Sequence, residues 1–107
     1  MGLAAAAALP DPVPVELSSG TTVHVQAVPY GQWRELLEAH PSSDRRLRFD
    51  RATFIPAAFA TCVEEAESDA DVERFLLDAH PADVEQLLAA VLKLHDSQPE
   101  GPTQPRE

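Results

Sequence analysis

Apolar residues recur with a period of two near the start of the chain and with a helical period after it. Val13, Val15 and Leu17 alternate with Pro14 and Glu16, and Val23, Val25 and Ala27 alternate with His24 and Gln26, the spacing of strands with one buried face. Ser18-Ser19-Gly20-Thr21 lies between the two runs and supplies a turn, Gly20 tolerating the positive φ that a tight hairpin demands. A two-stranded hairpin is marginal alone, so this one is expected to lay its apolar face on a neighbour.

From Trp33 onward the pattern predicts helices. Trp33, Leu36, Leu37 and His40 fall at i, i+3, i+4 and i+7 between Pro29 and Pro41. Asp50 is expected to cap a turn through Phe54, after which Ile55, Ala58, Phe59, Cys62, Val63 and Ala66 trace one stripe. Pro56 is expected near the start of that stripe, where its missing N–H costs little. Ser68 or Asp69 caps a third helix carrying Val72, Phe75, Leu76 and Ala79, and Pro81 opens a fourth carrying Val84, Leu87, Leu88, Val91 and Leu92. The expected class is α+β and predominantly α: an N-terminal β-hairpin followed by about four short helices in one domain, with Trp33, Phe59, Leu76 and Leu88 sharing a core. Residues 1–12 are small, apolar and proline-punctuated, and 97–107 are polar with three prolines. They are expected as a flexible N-terminal tail and a disordered C-terminal tail around a folded 13–96.

One near-repeat stands out. Residues 34–41 and 74–81 agree at six of eight positions, both ending Ala-His-Pro. The flanking segments do not match, so the pair reads as two helix C-termini, each with a histidine near the last carbonyls and a proline stop, and not as a solenoid repeat.

Length and charge narrow the functional classes. A chain of 107 residues builds one hydrophobic core. With 18 acidic against 8 basic residues and a formal charge of −10, it is expected to repel nucleic-acid phosphates and anionic membrane surfaces. A lone Cys62 offers neither an intrachain disulfide nor a Cys-x-x-Cys pair, which suits a reducing cytoplasm. The N-terminal apolar run has no positive charge before it, unlike a secretory signal. No apolar run approaches the roughly 20 residues of a membrane span.

Catalytic, cofactor and metal residues are all expected to be absent. None of His24, His40, His80 and His95 lies four residues from another or in a frame that mounts zinc on one helix. Cys62 belongs to an apolar stripe with no cationic neighbour to activate it. The four glycines form no phosphate-cradling loop and no nucleophile elbow. Charge segregation is the remaining signal. Between Glu64 and Glu85, nine acids face Arg74 alone, whereas Arg45, Arg46, Arg48 and Arg51 crowd one connection, with Leu47 and Phe49 expected to tuck onto the core. Both segments read as solvated surface or as halves of a contact, in which the arginines of one copy meet Glu64, Glu65, Glu67, Asp69 and Asp71 of the next. Tyr30, Leu77 and Leu94 lie beyond the minimal stripes and are candidate groove residues for a partner helix.

The order of signals matches a known pattern: a polar-tipped hairpin from Val15 to Val25, the Trp33 helix, Phe49-Asp50 with Phe54 and Pro56-Ala57, the acidic helix with Val72 and Leu76-Leu77, and Pro81-Ala82 through Leu94. This resembles the small tail assembly chaperones of long-tailed phages and prophages, and covers nearly all of 13–95 as a pattern of core positions and turns. The resemblance implies a non-enzymatic protein of the host bacterial cytoplasm that coats the aggregation-prone tape measure protein during tail assembly and is absent from the finished virion. It also implies a longer, frameshifted form whose extra domain recruits tail-tube protein. Two other classes fit the same features: a structural adaptor or connector that stays in the particle, and an acidic inhibitor or DNA mimic.

Overall fold

The computed structural model describes residues 2–96; the expected C-terminal tail at 97–107 lies outside them. The chain runs through a short 3-10 turn (Leu3–Ala6), strands β1 (Val13–Glu16) and β2 (Thr22–Val25), and helices α1 (Tyr30–Glu38), α2 (Arg51–Cys62), α3 (Asp69–Asp78) and α4 (Pro81–Asp96). The hairpin and four helices therefore stand as expected. Residues 2–12 are exposed throughout.

β1 and β2 pair antiparallel with Val15 opposite Val23 and Val13 opposite Val25. Gly20 takes φ 91° at the turn, where the Leu17 N–H donates to the Thr21 carbonyl at 2.8 Å and the Gly20 N–H to the Leu17 carbonyl at 2.9 Å. Pro14 is tolerated because β1 is an edge strand with only β2 beside it. The apolar face of the hairpin rests on α4, which touches both strands, and Val15, Leu17 and Val25 are buried there while Val13 stays exposed.

α2 is the central element, packed against the other three helices. The Asp50 side chain accepts from the Ala52 N–H as expected and starts a helix that is continuous from Arg51, so the turn through Phe54 is the first turn of the same helix that carries the stripe. Pro56 consequently lies in the second turn, inside the helix, and removes a backbone bond to the carbonyl four residues back. The stripe also ends earlier than its apolar spacing suggests. After Cys62 the chain leaves the helix and Val63 forms an antiparallel bridge with Val25, supported by Gln26 N–H to Cys62 O at 2.7 Å and Glu64 N–H to His24 O at 2.9 Å. A short third rung is thereby added beside β2, and Val63 and Ala66 pack on the core from a loop.

Trp33, Phe59 and Leu88 are buried in one cluster, with Leu76 half-buried against it. At the α1 end that cluster is aromatic. Phe54 is fully buried, stacked on Phe49 at 4.0 Å and edge-on to Trp33 at 5.8 Å. Phe49 tucks in as expected, whereas Leu47 remains exposed, because the short turn at Asp44–Leu47, closed by a 3.0 Å backbone bond, carries it outside. His95 stacks on Trp33 at 4.2 Å. Its Nε2 accepts the Val28 N–H at 3.0 Å and its Nδ1–H donates to the Val91 carbonyl at 2.9 Å, so the ring ties the loop before α1 to the last turns of α4.

The Ala-His-Pro repeat is resolved into two helix ends. Arg34–Glu38 and Arg74–Asp78 form equivalent i,i+4 pairs, and α1 and α3 each end two residues before their histidine, His40 and His80. His80 does more than follow α3. Its Nδ1 accepts the Ala82 N–H at 3.0 Å and its carbonyl accepts from Asp83 and Val84, capping α4.

Candidate functional site

The hairpin and α3 do not meet flush. Between them lies an apolar depression of about 120 Å³ floored by Phe59 and Leu87 and walled by Val23, Val63, Ala66, Val72 and Phe75. The local sequence explains the gap. α3 is held by its cap, Ser68 Oγ accepting the Asp71 N–H at 3.1 Å, and Phe75 meets Phe59 edge-on at 6.2 Å, while the opposite wall consists of short β-branched residues and one alanine. A space of this size approaches the roughly 150 Å³ cavities that take up a small apolar ligand.

Glu65 and Asp71 form its rim. Glu65 is fixed across the hairpin: its Oε1 accepts the His24 N–H at 2.8 Å and its Oε2 lies 2.7 Å from His24 Nδ1. The shared hydrogen bond raises the His24 pKa above its ordinary value and lowers that of Glu65. Asp71 Oδ2 accepts the Glu67 N–H at 3.1 Å, whereas the side chains of Glu67, Asp69 and Glu73 make no ion pair among the described residues. Chemically, such a surface can bury the apolar face of another molecule, with the carboxylates at its edge favouring a partner with positive flanks.

The other candidate residues are dispersed. Arg46 pairs with Asp44 at 3.0 Å, Arg48 with Asp96 at 2.5 Å, and Arg51 with Glu85, all within the chain; Arg45 is exposed. Leu77 points outward, 79% exposed, and so does Tyr30 at 75%, whereas Leu94 is half-buried against the core. None of these three lines the depression. Cys62 is buried, and desolvation pushes its thiol up to about 11, the reverse of activation.

Asp83 escaped the sequence pattern. Counted there among the solvated acids, it is 6% exposed, with Oδ1 accepting the Ser18 N–H at 2.9 Å and Oδ2 the Ser18 hydroxyl at 2.8 Å. The carboxylate pins the hairpin turn to the first turn of α4, where the helix dipole also favours it. Its position two residues after the helix-opening Pro81 was the available signal. Among the described residues no helix is long and apolar enough to cross a membrane. Compared with family models, curated proteins and solved structures, the chain matches none.

Proposed function

We propose that this chain is a non-enzymatic binding protein of the phage tail assembly chaperone kind, acting in the host bacterial cytoplasm to keep the tape measure protein soluble during tail morphogenesis. The observation that carries the proposal is the apolar depression between the hairpin and α3 with its acidic rim. An amphipathic helix of the tape measure seats apolar side chains over Phe59 and Phe75 and directs Lys or Arg toward Glu65 and Asp71. Many copies then line up along one partner, assisted by contacts between the Arg45 segment of one copy and the acids of the next. A longer form would add the recruitment of tail-tube protein.

Co-expression with the tape measure protein from the same genome tests this. The expected result is a soluble complex with many copies of this chain, lost on Ala66→Glu, which puts a charge into the depression from a half-buried loop position. Circular dichroism of the free variant checks that the fold is kept. A tape measure that precipitates equally with and without this protein overturns the proposal.

Glu67, Asp69 and Glu73, which have no ion pair among the described residues, favour a second reading, an inhibitor that occupies a basic site on another protein. Salt separates the two, since binding through apolar area survives high ionic strength and binding through exposed charge does not.

A further inference from the structure

His24 and Glu65 are 41 residues apart in sequence, yet with Glu64 they form a compact group. One donor atom from each of the three lies within 4.8 Å of the other two. The backbone holds the group in place, because the Val25–Val63 bridge and the Glu64 N–H to His24 carbonyl bond lock β2 to the segment carrying both carboxylates. In a continuing strand neighbouring residues face opposite sides. Here the chain turns directly after Val63, and both carboxylates converge on the imidazole.

One imidazole nitrogen with two carboxylate oxygens is a donor set for a borderline divalent cation, and three protein ligands leave a coordination position open. We propose that His24, Glu64 and Glu65 bind a zinc-class divalent cation at the surface, with the open position available to water or to a donor group on a binding partner. Tetrahedral zinc with bonds of roughly 2.0–2.2 Å sets its donors about 3.4 Å apart. Glu65 Oε2 stands 2.7 Å from Nδ1, so it withdraws by under an ångström while the Nδ1 proton leaves to solvent and the ion takes the nitrogen. The group shares Glu65 with the rim of the apolar depression, but zinc binding by the free chain is read without the tape measure, so the two proposals fail separately.

Calorimetric titration of the full chain with zinc chloride at pH 7.5, in a non-chelating buffer, tests it alongside the His24 ring signals in nitrogen-correlated NMR spectra. The expected result is one ion per chain, ring signals that shift in step with saturation, and no competition from an equal concentration of magnesium chloride. Glu64→Gln is the decisive variant, because among the described residues the Glu64 side chain makes no hydrogen bond that holds the fold; it should weaken zinc binding at least about tenfold. Unchanged affinity in that variant, or His24 ring signals that do not move, overturns the proposal.

Discussion

The two sides of α2 are finished in different ways. Toward α1, ring meets ring: Phe54 is enclosed by Phe49 and Trp33, His95 covers Trp33, and Arg48 closes the edge onto Asp96. Toward α3 and the hairpin, the core ends in Val23, Val63, Ala66 and Val72, the depression stays open, and several acids have no cationic partner among the described residues. Large planar groups fill space from both sides of a contact, whereas short branched side chains on a hairpin and a loop cannot reach a helix set at its own distance. The sealed side supplies stability. The open side is where binding a partner would add buried area.

On that contrast Phe54→Ala has the largest expected effect, destabilising the domain by about 3–5 kcal/mol in urea melts, a large share of the roughly 5–15 kcal/mol available to such a chain. Phe75→Ala at the open side should cost clearly less. Equal costs would erase the distinction.

Asp83→Ala comes next. It leaves the Ser18 N–H and hydroxyl without their acceptor, at about 2 kcal/mol for hydrogen bonds to a charged group. Hairpin amides should then exchange faster than those of α2; uniform exchange would show that the turn is held by other contacts.

The His24–Glu65 clasp gives a smaller, pH-dependent effect. A raised His24 pKa contributes stability that is fully present below the unfolded value of 6.5 and is lost as pH rises through the folded value. A lowered Glu65 pKa contributes stability present above 4.5 and lost as pH falls through its folded value. The difference in melting temperature between wild type and Glu65→Gln should therefore be greatest between about pH 4.5 and 6.5 and should shrink toward pH 8. A difference that stays constant across that range would leave only the pH-independent bond from the His24 N–H.

The smallest effects belong to the surface charges. Arg48→Gln and Arg51→Gln each remove one exposed ion pair and should cost about 1 kcal/mol or less, decreasing with added salt. Arg45→Glu should leave stability within error and lower the number of copies bound to a partner, read by mass measurement of the complex. Undiminished copy number would rule out the contact between neighbours.

The fold was legible because its signals are local. Alternation between Val13 and Val25, Gly20 at the turn, Asp50 and Ser68 as caps, and Pro81 at a helix start all act within a few residues, where backbone geometry and side-chain spacing are coupled. The limits of α2 were less legible: an apolar stripe that runs on to Ala66 does not reveal that the Val63 backbone is claimed by Val25. The candidate sites were the least legible. Whether Glu65 is a solvated acid or a clasp on His24, whether Asp83 faces water or Ser18, and whether Phe59 and Phe75 leave a gap depend on residues tens of positions apart. Periodicity reports which side of an element is apolar, and chain sequence alone carries no distance between two such sides; only their packing in three dimensions decided what remained open.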